Sequence, residues 1–249
     1  MNLADTLEKL RIDDVEPSLT PVEKTATLHD LIRARSGVYH PALYETESMK
    51  AKRPLRGSHA PDTFWYYNNW DFNTLGTVYE KAVGQSIFEA FDQKIAKPLQ
   101  MQDYTPADGS YFRGEDSQYP AYPINMTARD LARFALLFLR EGHWKGRQIV
   151  PTPWVKESTK PWSANSSGGY GYLWWTADSP TGPGPLPLPR GTFWAEGAGG
   201  QFAMVIPALD LVVINRVDTE QTTQTVSRKD MAQLAEQIIQ ALGPVKSGS

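Results

Sequence analysis

Two short stretches carry residue types with chemical potential. Tyr66-Tyr67-Asn68-Asn69 stands just before a helical pattern over 70–83. A Tyr two positions before an Asn, at a helix N-terminus, sets a phenol beside a carboxamide. The positive end of the helix field favours the phenolate there, and a phenol tuned in that way serves as a general base. The same residues also suit a plainer role, aromatic packing with Asn69 as the helix cap. The second stretch is Phe193-Trp194-Ala195-Glu196-Gly197-Ala198-Gly199-Gly200-Gln201. A strand running into small residues lets backbone approach a ligand, and its N–H groups suit a developing oxyanion. Taken alone it also reads as a glycine-rich hairpin.

The elements that must position these stretches follow from capping signals and periodicity. Thr27 to Asp30 forms a capping box opening a short helix that Ser36-Gly37 stops. Residues 41–63, with Pro54, Gly57 and Pro61, read as loop. Phe72, Leu75, Val78, Tyr79 and Ala82 recur at helical spacing until Gly84. Ser86 with Glu89 caps a second helix that Pro98 closes, and residues 102–125 form a long ordered loop of the kind that lines sites. Thr127 with Asp130 is a third capping box, with Leu131, Phe134, Leu137 and Phe138 buried and Gly142 as C-cap. Thr152-Pro153 opens another short helix.

The character then changes. Tyr170 to Trp175 reads as one aromatic strand, on which Trp174 and Trp175 alternate, so that at least one enters the core. The five prolines of 180–189 make an exposed excursion. Thr192–Glu196, Gln201–Ile206 and Leu211–Arg216 read as an antiparallel meander, with a turn at 207–210. Ser227 with Asp230 caps a last helix that faces the sheet through Met231, Leu234, Ala235, Ile238 and Leu242, and Gly243-Pro244 ends it. Helices followed by strands and a terminal helix imply an α+β fold. The organisation expected is a mainly helical region over 1–165, a sheet with its last helix over 166–243, and a disordered tail over 244–249.

Composition narrows the function. The 249 residues can bury a sizeable core, and a net charge of -3 lacks the electrostatic footprint of a nucleic-acid binder. With no cysteine there is no disulfide, thiolate metal site or thiol nucleophile. Four histidines, at 29, 40, 59 and 143, show no ligand spacing, so no metal is expected. Nucleotide-binding fingerprints are missing, so no cofactor is expected either. No apolar run reaches membrane-spanning length, and residues 1–5 do not resemble a signal peptide.

Taken together, the motifs resemble the serine β-lactamase-related family: class C β-lactamases, penicillin-binding-protein-like peptidases, family VIII esterases and 6-aminohexanoate-dimer-type amidases. The residues that carry the resemblance are Tyr67-x-Asn69 with Leu75-Gly76, then Pro98 to Met101, Met126 to Phe134, Gly169 to Trp175 and Gly197 to Gln201. Leu31 to Gly37 is similar to the family's Leu-Leu-x-His-x-Ser-Gly segment, with Ala34 where His is common. The resemblance runs from about Leu3 to Leu242 and implies a β-lactamase/transpeptidase-like fold. It implies a Ser-x-x-Lys nucleophile on a buried helix, Tyr67 as general base and Asn69 as polar contact. Ala195-Glu196-Gly197 takes the place of the Lys/His-Thr-Gly strand, and the Ala198 N–H supplies half of an oxyanion hole.

Two departures shape the expectation. No serine is followed by lysine three positions on; Thr6 with Lys9 has the offset but matches the stretch beyond the catalytic helix. The chain is therefore expected to lack the N-terminal segment bearing the nucleophile, which leaves a sheet edge for a second chain or dimer partner to cover. Ala195-Glu196-Gly197 has no cation for a substrate carboxylate, and Glu196 repels one, which favours neutral esters or amides. Trp174, Trp175, Trp194 and the tyrosines of 111–122 are candidates for an apolar acyl pocket. The activity expected is ester or amide hydrolysis through an acyl-enzyme. The alternatives are an inactive binding or scaffold protein and an orphan fragment.

Overall fold

The computed structural model describes residues 2–219 and 221–242. They fall into two compact units: unit 1 holds the residues up to Gln93 together with Thr105–Asn125, and unit 2 holds Lys94–Tyr104 and the residues from Met126 on.

Unit 1 contains helices α1 (Leu28–Ile32), α2 (Glu47–Lys52), α3 (Asn69–Val83) and α4 (Ile87–Phe91). Its core gathers Leu7, Ile12, Leu28, Leu31, Trp70 and Tyr119. The Thr27/Asp30 capping box is present, but α1 ends at Ile32, before Ser36-Gly37, because Ala34 already adopts a left-handed backbone (φ 55°). Helix α2 corrects the reading of 41–63 as loop throughout: Thr46 accepts the Met49 N–H and starts a helix with no buried residue. Without an apolar stripe, periodicity had nothing to register.

Helix α3 ends at Gly84 in the left-handed region, as expected. Its buried stripe is Trp70, Thr74 and Val78, with Asp71 and Asn73 beside it. Tyr122 approaches so closely that a Cβ on Gly76 would lie 2.3 Å from its ring. Ser86 caps α4, but Pro98 does not close the helix. The chain passes through a π-helical turn, Asp92–Ala96, and Pro98 sits inside the short helix α5 (Lys97–Leu99), whose missing N–H is tolerated in a first turn. Residues 105–125 form a short 3-10 turn at Pro106–Asp108 and a ribbon of two isolated bridges, Gly109 with Ile124 and Phe112 with Ala121.

Unit 2 comprises α5, α6 (Ala128–Leu139), a small hairpin β1 (His143–Trp144) and β2 (Arg147–Gln148), α7 (Thr152–Ser158) and the main sheet. Its strands are β3 (Ser163–Asn165), β4 (Gly168–Tyr170), β5 (Trp175–Thr176), β8 (Phe193–Gly197), β9 (Gln201–Ile206) and β10 (Leu211–Asn215). The order is β10-β9-β8-β5-β4-β3, antiparallel throughout. A separate ribbon, β6 (Asp178–Ser179) with β7 (Gly182–Pro183), starts the proline-rich excursion. The last helix, α8 (Arg228–Leu242), carries the Ser227/Asp230 capping box. Together these elements are α+β, and the meander β8-β9-β10 is the one the alternation predicts.

Three details differ from the sequence reading. Thr127 precedes α6 but caps nothing: its hydroxyl donates to Asp103, while Asp130 accepts the N–H groups of Gln102, Asp103 and Tyr104. Residues 170–175 are not one strand, because the chain reverses at Leu173 (φ 61°) and Tyr170 pairs with Trp175. On α8 the buried face is Met231, Ala232 and Ala235, whereas Leu234 and Leu242 are exposed. The expected stop at Gly243-Pro244 and the tail over 244–249 lie outside the described residues.

Candidate active site

Tyr67 and Asn69 belong to unit 1; Trp174, Ala195, Glu196, Gly197 and Ala198 belong to unit 2. Each group is set by its own surroundings.

In unit 1, Asn68 rather than Asn69 caps α3: with extended backbone (φ -147°) it accepts the Asp71 N–H through Oδ1. Asn69 is thereby the first helical residue. Its carboxamide nitrogen donates to the carbonyls of Tyr44 (2.7 Å) and Leu43 (3.3 Å), and Asn73 donates to Leu43 as well (3.2 Å). Asn69 Oδ1 makes no hydrogen bond among the described residues. Tyr67 is half-buried, its ring 4.9 Å from that of Phe72. Tyr67 thus directly precedes the Asn68 cap of a fifteen-residue helix.

Behind this motif, Asp71 is fully buried, and neither carboxyl oxygen finds a well-aligned donor. Burial raises its pKa to about 8, against weaker pulls from Ser36 and Asn68. Burial and the neighbouring Asp71 also raise Tyr39, to about 12. The opposite solution appears at Asp14, also buried, which accepts from Trp70 Nε1 (2.7 Å), Ser117 Oγ (2.5 Å) and the Gln118 N–H (2.8 Å).

In unit 2 the alternation of β8 decides which side chains meet which face. Phe193 and Ala195 pack with the Phe138 and Trp174 cluster, over which α6 lies. Trp194 and Glu196 take the other face. There Glu196 accepts from Trp194 Nε1 and binds Arg228 Nε, the first residue of α8. The Arg228 guanidinium lies 3.5 Å over the Trp175 ring and reaches Ser167 Oγ at 3.1 Å. Glu196 thus carries its own countercharge, and its expected repulsion of a carboxylate is largely cancelled. The sequence reading missed Arg228. Its one signal is a cation in the first turn of a helix, where the dipole disfavours it.

Gly197 and Ala198 are exposed at the β8–β9 turn. Gly199 and Gly200 follow with φ 79° and 93°, and a Cβ on Gly200 would lie 2.6 Å from the Val226 nitrogen. Glycine is what lets this turn seat against the segment leading into α8. Asn215 fixes the turn further by donating to the Gly200 carbonyl.

The aromatic candidates for a pocket are placed differently. Trp174 is buried between Phe138 and Phe193, and Trp194 is almost fully buried. The Tyr119 hydroxyl donates to the Asp13 carbonyl, that of Tyr122 to Phe72, and that of Tyr111 to Glu80. Thr6 and Lys9 form no dyad: Lys9 turns its ammonium to Asp5. Among the described residues no helix is long and apolar enough to cross a membrane.

The Beta-lactamase family model matches residues 3–237. An uncharacterized curated protein of Alkalihalophilus pseudofirmus is 24% identical over 216 residues, 78% of this chain and 64% of that protein. A putative 6-aminohexanoate-dimer hydrolase from Bacillus anthracis superposes with a TM-score of 0.64 at 20% identity, covering 97% of this chain and 66% of that one. A class C beta-lactamase gives 0.62 at 15% identity, covering 99% and 76%. The chain thus spans under two thirds of the length of the first two. At such identities the superpositions show the fold, which is β-lactamase/transpeptidase-like. On the extent of the family match, the chain belongs to the Beta-lactamase family.

Proposed function

We propose that this protein contributes the base, polar-contact and oxyanion elements of a serine esterase or amidase that works through an acyl-enzyme. Tyr67 takes the proton, Asn69 contacts the ligand, and the Ala198 N–H stabilises the oxyanion. Gly197 and Ala195 shape the strand beside it. The serine and lysine of a Ser-x-x-Lys pair come from residues outside these 249. The observation that carries the reading is Tyr67-x-Asn69 at the capped N-terminus of α3, within a family match spanning most of the chain.

Charge supports the proposed substrate class. Glu196 and Arg228 neutralise each other, so β8 offers neither a free cation nor a free anion. Neutral esters and amides suit such a strand. A partner strand is supported by β10, which pairs only with β9 among the described strands and leaves one backbone edge open. A strand from the nucleophile segment or from a second chain suits that edge.

The test supplies a Ser-x-x-Lys-bearing N-terminal segment and follows p-nitrophenyl acetate hydrolysis. Turnover is expected to appear, and Tyr67→Phe to lower it by about 10² to 10⁴, the range of general-base catalysis. Equal turnover in Tyr67→Phe removes Tyr67 from that role. A second reading, an inactive member used for binding, is favoured by the lack of any Ser-x-x-Lys pair in these residues. Fluorophosphonate labelling of the 249-residue chain alone would contradict it.

A further inference from the structure

Asn69 is tied to an unusual piece of surface. Tyr44, whose carbonyl it holds, is a non-glycine residue with φ 66° and a side chain left 53% exposed. L-residues adopt this backbone only at a cost, which persists where the surroundings enforce it and tends to gather at ligand-contacting positions. Here the surroundings are the carboxamides of Asn69 and Asn73, which clamp the Leu43 and Tyr44 carbonyls from α3. The clamp turns an aromatic ring outward rather than into the core.

A second exposed ring meets it. Phe112 is 48% exposed, its centroid 5.4 Å from that of Tyr44 at a 58° tilt. Its backbone is fixed by two hydrogen bonds to Ala121 (2.9 and 3.1 Å). At Gly114 a Cβ would lie 2.9 Å from the Leu43 side chain, so the two loops touch there. Two rigid half-exposed rings, joined through Asn69 to the Tyr67 motif, make a contact surface already ordered for a flat apolar group. On the same loop Arg113 lies over the Tyr111 ring and Glu115 and Asp116 follow, a stretch of net negative charge, while Glu45 is paired with Arg53.

We propose that Tyr44 and Phe112 form an aromatic platform receiving the planar aryl group of a neutral ester or amide, with Asn69 positioning it by clamping the Tyr44 carbonyl. The inference rests on reading Tyr67 and Asn69 as site residues. It makes Asn69 a link between the reacting end of a ligand and the surface that selects its acyl side.

The test is equilibrium binding, which needs no nucleophile. N-methylphenylacetamide is titrated into the chain and followed by ¹H–¹⁵N NMR, with N-methylacetamide as the ring-free control and phenylacetate as the charged one. Saturable shifts are expected for the aryl amide alone. Tyr44→Phe should keep the affinity. Tyr44→Gly removes the ring while suiting the backbone, so its melting temperature should hold or rise as affinity falls about tenfold. Phe112→Ser should weaken binding to a similar degree. Unchanged affinity in Tyr44→Gly, equally strong binding of either control, or no saturation by about 10 mM aryl amide overturns the platform. Aryl binding with these variant effects, but no ester turnover after the nucleophile segment is supplied, overturns the hydrolase reading and leaves the platform standing.

Discussion

Replacing Asp71 by Asn should remove a pH dependence of stability that one buried carboxyl imposes. In the folded protein Asp71 keeps its proton to about pH 8, whereas the unfolded group titrates near 3.8. Between those values the folded state holds a proton that the unfolded state has released, so stability falls as pH rises. The slope is about 1.4 kcal/mol per pH unit, or about 4 kcal/mol from pH 4 to pH 7, with a plateau above about pH 8. Of the neighbouring groups, Tyr39 is pushed up to about 12, above this window. The carboxamide that Asp71→Asn introduces is neutral at every pH, so its own unsatisfied polar atoms add a constant offset and no slope. The assay is urea unfolding at pH 4 to 9, following tryptophan fluorescence, to which Trp70, fully buried on the same helix, contributes. The difference between Asp71→Asn and wild type should grow by about 1.4 kcal/mol per unit and level off above about pH 8. Parallel curves for the two proteins would refute the reasoning.

Three further outcomes follow from the packing. Asp14→Ala strands the Trp70, Ser117 and Gln118 donors in a buried site and should cost about 3 kcal/mol or more, read from urea midpoints. Gly76→Ala gains about 1 kcal/mol of helix propensity but drives a methyl into the Tyr122 ring, and overpacking of about 1–3 kcal/mol should win, lowering the melting temperature. Arg228→Gln loses an ion pair whose side chains are about a quarter exposed, together with the stack on Trp175. Its cost should be near 1 kcal/mol, with a change in tryptophan emission.

How far the sequence spoke can be seen residue by residue. The β8-β9-β10 meander and the Ser227/Asp230 cap were legible because alternation and capping are local rules. Choosing between Asn68 and Asn69 as the cap of α3 was not, since neighbouring identical residues differ only in backbone angle. The Thr127/Asp130 box failed because Asp130 is claimed by three N–H groups about 27 residues away in sequence, beyond any local pattern. Leu173 turned one expected strand into two by adopting a backbone that its residue type does not advertise. For the candidate site, motif resemblance pointed to Tyr67, Asn69 and the 195–198 segment. The Arg228 countercharge of Glu196 and the burial of Asp71 on α3 depend on long-range packing and became visible only in the fold.

The proposed acyl-enzyme forms on a serine from outside these residues and is served by Tyr67. Its most direct measurement is intact-mass spectrometry of the protein combined with a Ser-x-x-Lys-bearing segment and quenched during turnover of a p-nitrophenyl ester. One acyl group is expected on that serine, forming and clearing rapidly with Tyr67 in place and slowly in Tyr67→Phe. Ester turnover with no acyl adduct, at a rate indifferent to Tyr67→Phe, would contradict it.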